Sequence, residues 1–216
     1  MVTKIPQPTL IRLCGIHQFL CVLEKEGISR ISSPELERKI GVPSHTIRKD
    51  INYLGEIGNT GSGYDVSKLK NHIAEKLPFP ADQKTCIVGL GHLGCAILYS
   101  PKRAGEGFTI VAGFDSNVNK LETIKTSVPL FPSCEIADVV CRMGIEIAII
   151  AVPPQNAQEV TTRLVEGGIK GIVNFAPTII NPDKEDIFVR NIDIAVECRI
   201  LSVLSDNQAI KKQVTS

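Results

Sequence analysis

The pattern of apolar and polar positions changes character near residue 80. Before it, apolar residues recur at helical spacing. Leu10, Leu13, Ile16, Leu20 and Leu23 fall on one face of a helix that Thr9 can cap and Gly27 ends. Ser32-Ser33-Pro34-Glu35 is a helix start, with Ser33 suited to the cap and Pro34 to the first helical position, and Gly41 stops that helix. Ser44 caps a third helix, which runs to Leu54. Two short helices joined by Gly41-Val42-Pro43 give a helix-turn-helix pattern. Leu36, Ile40, Val42, Ile47, Ile51 and Leu54 pack inward, which turns His45, Arg48, Lys49 and Asn52 outward. That outer face either reads a DNA major groove or is a solvated polar surface. The glycine-rich stretch Gly58 to Tyr64 follows, as the tight turn of a hairpin that makes the unit a winged helix or as a flexible loop. The front half thus reads as three helices and a hairpin.

Lys76-Leu77-Pro78-Phe79-Pro80-Ala81-Asp82 is the predicted linker, because its prolines break the helix from Leu69 to Leu77. Beyond it, short β-branched runs alternate with amphipathic helices, as in a parallel sheet of βαβ units. The strand Thr85 to Val88 runs into Gly89-Leu90-Gly91-His92-Leu93-Gly94 and then a helix through Cys95 and Leu98. In this context G-x-G-x-x-G binds a dinucleotide. The first glycine makes the turn, the second lets backbone approach a pyrophosphate, and the third lets helix pack on strand. A second strand, Phe108 to Phe114, ends in Asp115, which suits either a ribose-binding acid or a strand-end turn. As a ribose ligand, Asp115 would repel a 2′-phosphate and favour NAD(H) over NADP(H). Ile145 to Val152 is a buried strand ended by Pro153-Pro154, and Asn156 can cap the helix Ala157 to Glu166. Strands Ile172 to Phe175 and Ile187 to Ile192 follow. Asn174 either bonds the cofactor or ties down a loop. A final amphipathic helix carries Ile194, Ile200, Leu201, Leu204 and Ile210.

Composition narrows the class. The 216 residues are 43% hydrophobic and 22% charged, an ordinary globular balance that excludes wholesale disorder. No apolar run suits a bilayer span and the N-terminus lacks a signal-peptide core, so the expectation is cytoplasmic. Seven cysteines without a Cys-x-x-Cys pair argue against a zinc ribbon and for buried free thiols. Cys95 sits where a helix N-terminus can lower a thiol pKa, or is a small packing residue. Residues 1–80 hold 11 Lys and Arg against 8 Asp and Glu, which permits a nucleic-acid-binding front half without demanding one. No nucleophile–base pairing stands out, and His92 lies too close to the phosphate turn for a hydride-transfer acid. The pattern is that of a dinucleotide sensor joined to a DNA-binding head, rather than an enzyme.

The whole chain resembles the Rex family of redox-sensing transcriptional repressors. The resemblance rests on Arg30-Ile31-Ser32-Ser33, Ile47-Arg48-Lys49-Asp50, Gly61-Ser62-Gly63-Tyr64-Asp65-Val66, the glycine turn, Phe114-Asp115, Gly168-Ile169-Lys170-Gly171, Asn174-Phe175-Ala176-Pro177 and Asn191-Ile192-Asp193. It implies a winged-helix domain at residues 1–80, a Rossmann domain at 81–193, and a C-terminal helix at 194–216 exchanged between the subunits of a homodimer. It further implies binding to AT-rich palindromic operator DNA, release by NADH, and competition by NAD⁺. Arg12, Ser33, Ser44, His45, Thr46, Arg48, Lys49 and Gly61 would meet DNA. Gly89, Leu90, Gly91, His92, Leu93, Gly94 and Asp115 would hold the adenosine and pyrophosphate. Val152, Pro153, Asn174 and Ala176 would line the nicotinamide side.

Asp193 would join the contacts that distinguish the two states, with Tyr99 a second switch candidate. The family usually has a basic wing residue where this chain has Asn59-Thr60, an arginine at Gln18, a basic residue at Ile11, and Asn-Tyr at Tyr99-Ser100. These departures predict altered AT-tract readout and an altered switch. Two other readings remain at this level: a diverged paralogue with weak DNA binding or another nucleotide response, and a small NAD-linked oxidoreductase.

Overall fold

The computed structural model describes residues 5–55, 63–77, 79, 82–100 and 107–214. Two compact units divide at Ala81 and Asp82.

In the first unit, α1 (Gln7–Lys25), α2 (Ser33–Ile40), α3 (Ser44–Asn52) and α4 (Val66–Lys76) enclose one apolar core. Leu13, Ile16 and Leu20 of α1 meet Leu36, Ile47, Ile51, Leu69 and Ile73, all almost fully buried. Strands β1 (Arg30–Ile31) and β2 (Tyr64–Asp65) pair antiparallel, Ile31 opposite Tyr64. They flank α2 and α3 in sequence, so the expected three helices and hairpin become four helices and a short ladder. Gly58 to Ser62, within the expected wing turn, lie outside the described residues, as do Pro78, Pro80 and Ala81 of the linker.

The helix starts differ from the expected caps. Helix α1 begins at Gln7 after Pro6, and Thr9 lies buried in its first turn. Its end follows expectation. Gly27 takes φ 74, its N–H reaches Glu24 O at 3.1 Å, and Ile28 N–H reaches Leu23 O at 2.9 Å. Ser32, not Ser33, caps α2. Its hydroxyl accepts from Glu35 N–H at 3.3 Å while Glu35 Oε2 accepts from Ser32 N–H at 2.7 Å, a reciprocal capping box. Glu35 closes the box only three residues after the cap, which fixes the register. Ser44 opens α3 as its first residue after Pro43, and makes no cap bond.

The second unit is a six-stranded parallel sheet. Its strands are β3 (Gln83–Val88), β4 (Phe108–Asp115), β5 (Leu130–Pro132), β6 (Ile147–Ile150), β7 (Gly171–Asn174) and β8 (Phe188–Asn191). Their order is β5-β4-β3-β6-β7-β8, the doubly wound Rossmann arrangement. Between strands lie α5 (His92–Leu98), α6 (Val118–Thr123), α7 (Ile136–Met143) and α8 (Pro154–Glu166), with α9 (Ile194–Val214) last. Cys86, Val88, Ala148 and Ile150 enter one core layer, and Ile87 and Ile149 the other. That alternation marks strands covered on both faces. Pro153 precedes α8, so Asn156 lies within its first turn and caps nothing. The thiols also differ from expectation. Cys86 is buried, Cys14, Cys21 and Cys95 are half-buried, and Cys134, Cys141 and Cys198 are exposed.

Helix α9 leaves Ile194, Ile200, Leu201 and Leu204 exposed, with Leu201 at 65%. The side chain of Ile210 lies outside the described residues. Among the described residues no helix is long and apolar enough to cross a membrane.

The cap register is tested by chemical denaturation of two variants. Ser32→Ala is expected to destabilise the chain by about 1 kcal/mol more than Ser33→Ala. The reverse ranking would place the cap at Ser33.

Candidate functional site

The strand order reverses between β3 and β6, and the carboxyl ends of these neighbours flank a cleft of about 510 Å³. A ligand crevice belongs at such a reversal. Gly89, Gly91, Asp115, Lys120, Val152 and Pro153 are among the residues lining it.

Each glycine of the turn has its own steric reason. Gly89 takes φ 94, and a Cβ there would meet Ala151 O at 2.5 Å. At Gly94 a Cβ would lie 1.9 Å from Gly89 O, so only glycine lets α5 start against the turn. At Gly91 a Cβ would meet nothing within 4 Å. That opening faces the cleft and lets a ligand come close to backbone.

Asp115, at the end of β4, is almost fully buried. Its Oδ2 accepts from Leu90 N–H at 2.8 Å and Lys120 Nζ at 3.2 Å, and its Oδ1 from Asn117 N–H at 2.9 Å. Burial alone pushes the carboxyl up. The Asn117 and Leu90 amides and the Lys120 ammonium outweigh it and hold Asp115 below the usual carboxylate range. Asp115 therefore braces the glycine turn as a carboxylate, with one lone-pair site left for a further donor.

Leu90 is buried and joins the site through its amide, whereas His92 and Leu93 open α5 as exposed residues. Cys95 donates its S–H to Leu90 O at 3.2 Å. Asn174 and Ala176 lie outside the cleft lining. The Asn174 amide donates to Thr178 O and Asn191 Oδ1, both at 2.8 Å, and accepts from Ala176 N–H at 3.0 Å. These bonds make the loop tie that is one of the two roles expected of Asn174. Sequence reasoning missed Lys120 and Arg163. Arg163 lines the cleft and donates to Ser133 O at 2.9 Å and to Glu159 at 2.6 Å. Lys120 had a readable signal, five residues past Asp115 on the following helix. Arg163 had none, because it reaches Ser133 across 30 residues.

In the first unit, α3 exposes His45, Arg48, Lys49 and Asn52, with Thr46 half-buried. Arg38 and Lys39, in the last turn of α2, add two exposed cations that the sequence reading passed over. Ser33 is buried. Ser44 donates both its hydroxyl and its amide to Glu37, the amide at 3.0 Å. The Ser44 hydroxyl and amide hold the Glu37 carboxyl below its usual value. Arg12 grips Asp50, with Nε on Oδ2 at 2.5 Å and Nη2 on Oδ1 at 2.8 Å. Gly61 and the Asn59-Thr60 pair lie outside the described residues. Tyr99, at the end of α5, is 53% exposed, and Gln18 and Ser100 are exposed too. Asp193 caps α9, its Oδ1 accepting from Ala195 N–H at 2.8 Å.

Comparison with known proteins covers nearly the whole chain. Residues 81–178 match the family described as CoA binding domain, and residues 4–52 that described as putative DNA-binding protein N-terminus. The chain is similar to the redox-sensing transcriptional repressor Rex of Carboxydothermus hydrogenoformans, 38% identical over 200 residues, 92% of this chain and 95% of that one. It is 34% identical to the Rex repressor of Listeria welshimeri over 98% of both chains. Among solved structures it is similar to RSP in complex with β-NAD⁺ and operator DNA, at a TM-score of 0.81 and 31% identity, covering 98% of this chain and 97% of that one. It is also similar to RSP in complex with β-NADH, at a TM-score of 0.79 and 29% identity.

The glycine geometry separates folding from binding. Gly94→Ala is expected to destabilise the chain by about 1–3 kcal/mol through overpacking. Gly91→Ala should stay within about 0.5 kcal/mol of the parent. Thermal unfolding measures both, and equal losses would refute the assignment of Gly91 to a ligand.

Proposed function

This chain belongs to the Rex family of redox-sensing transcriptional repressors, and we propose that it binds operator DNA as a homodimer and leaves it when NADH fills the cleft. The observation that carries the proposal is the turn itself: backbone open at Gly91, closed at Gly94, and braced by Asp115. These residues fit a dinucleotide. Gly89 to Gly94 and the first N–H groups of α5 suit the pyrophosphate. The remaining lone-pair site of Asp115 suits an adenosine ribose hydroxyl. Val152 and Pro153 border the nicotinamide side, with Asn174 and Ala176 behind them in the loop they tie. Asp115 disfavours a phosphate on that ribose, which argues for NAD(H) over NADP(H) and over coenzyme A. Reduced nicotinamide supplies an uncharged ring where the oxidised form carries a positive charge.

DNA binding is assigned to α3, with Arg48 and Lys49 as its principal contacts and His45 and Thr46 beside them. Ser44 meets a phosphate only when Glu37 releases it. Domains at 1–80 and 81–193, with an exchanged helix at 194–216, suit this role. The apolar side chains exposed on α9 call for cover, which a second copy supplies. The role is regulatory and located in the cytoplasm, with binding rather than turnover as its output. DNA half-sites have fixed spacing, so a dimer that changes the separation of its recognition helices on closing loses one of them. Asp193 and Tyr99 are the proposed switch residues. A second reading, a Rex protein with a changed NADH response, draws on Gln18 and Ser100, which stand where the family resemblance expects an arginine and a tyrosine.

Calorimetric titration of the purified chain with NADH, NAD⁺, NADPH and coenzyme A tests the nucleotide assignment. NADH is expected to bind more tightly than NAD⁺, and the two ribose-phosphorylated ligands not at all. Binding of coenzyme A alone would overturn it. Arg48→Ala is expected to cost operator affinity about tenfold or more while NADH affinity is unchanged. Equal DNA affinity in parent and variant would remove α3 from the interface.

A further inference from the structure

Asp50 is a carboxylate buried inside the DNA-binding unit, with its side chain 2% exposed. It sits on α3 between the core residues Ile47 and Ile51, and next to Lys49. A lone buried carboxylate is costly, so its partner matters. That partner is Arg12 of α1, 38 residues away, which meets it with two parallel N–H···O bonds at 2.5 and 2.8 Å. The same guanidinium donates to Thr9 at 3.2 Å, which sets its own direction from within α1.

The geometry points to Arg12 as a positioning residue: acting through Asp50, it fixes the rotation of α3 about its own axis, and it does not neutralise a DNA phosphate. This rests on the DNA-binding reading above. Two features carry it. The first is electrical. Arg12 and Asp50 together are neutral, so the pair brings no net charge to a phosphate and releases no counterion. The second is directional. Ile47 and Ile51 hold α3 by apolar contact, which tolerates some rotation, whereas a two-pronged guanidinium–carboxylate bond does not. Successive residues on a helix are turned by about 100°. Fixing Asp50 inward therefore fixes where Arg48 and Lys49 point. Base readout depends on that angle far more than phosphate attraction does.

The test uses the full chain and two duplexes: one enriched by the parent protein from a random library, and one scrambled duplex of the same composition. Arg12→Ala, Arg12→Lys and Asp50→Asn are compared across a salt series, at a temperature where circular dichroism shows each fully folded. Arg12→Ala and Asp50→Asn are both expected to lose about tenfold on the enriched duplex and little on the scrambled one, with the salt slope unchanged. Arg12→Lys, which keeps the charge without the fork, should recover part of the discrimination. The Asp50→Asn result is decisive in sign, because removing an acid near DNA raises affinity when charge alone is at work.

Equal weakening on both duplexes with a salt slope smaller by about one would overturn the proposal in favour of a direct phosphate contact. Lowered melting with discrimination intact would overturn it in favour of a purely structural ion pair. Failure of the parent chain to enrich any duplex would overturn the DNA-binding reading, and is visible before any variant is made.

Discussion

The second unit depends on how closely helix α5 approaches the turn that precedes it. A Cβ on Gly94 would stand 1.9 Å from the Gly89 carbonyl oxygen, and one on Gly89 would stand 2.5 Å from the Ala151 carbonyl oxygen. Three backbone segments thus meet where no side chain fits: the turn after β3, the start of α5 and the residues after β6. Close packing there pins the helix start beside the carboxyl ends of the two central strands. The glycine turn thus brings main chain to the cleft, whose donors do not swing with rotamers.

Asp115 extends that framework. It leaves β4 beside the turn and takes the Leu90 and Asn117 amides as its own partners. A carboxylate in this position works in two directions. Inward, it satisfies amides that would otherwise lie unpaired at a buried turn. Outward, it presents a negative group to the cleft, tempered by Lys120. Its folded pKa lies below the ordinary value, so this bracing is fully present above the usual carboxylate range. As pH falls through the folded pKa, the contribution is lost.

Much of this was legible in the sequence because the signals are local. The glycine turn, Asp115 about 20 residues beyond it, and the outward face of α3 each follow from spacing within one or two elements. Misplaced features have local causes of another kind. Ser32 and Ser33 are both competent caps, and only the Glu35 carboxylate turning back to the Ser32 amide decides between them. Pro6, Pro43 and Pro153 stand at helix starts where Thr9, Ser44 and Asn156 were the expected caps, because a proline-fixed φ served where a side-chain bond was anticipated. Strand β5 ends in a proline and spans three residues, too short for a period to show. The pairs Arg12–Asp50 and Arg163–Ser133 were not legible at all, since nothing in the sequence states which residues the fold brings together across 38 and 30 positions.

Binding and coupling make different demands on a sequence. Here the cleft beside the glycine turn is held by glycines, backbone amides and one carboxylate, and α3 by buried isoleucines and one ion pair. Each is overdetermined within its own unit. Coupling is different in kind: a ligand shifts an equilibrium only by its differential affinity for the two states, and that difference resides in contacts made in one state and not the other. In the function proposed above such contacts fall to Asp193, which also caps α9, and to exposed side chains such as Gln18, Tyr99 and Ser100, for which no side-chain bond is seen among the described residues. Substitution at the exposed Gln18, Tyr99 or Ser100 costs little stability and alters no cleft-lining residue, and on that proposal it acts directly on the coupling free energy. A chain can therefore keep its fold, its nucleotide and its DNA face while the exchange between them is retuned. The departures expected to alter the switch, at Gln18 and Tyr99-Ser100, fall at such exposed positions rather than among the glycines, Asp115 or the core of α3.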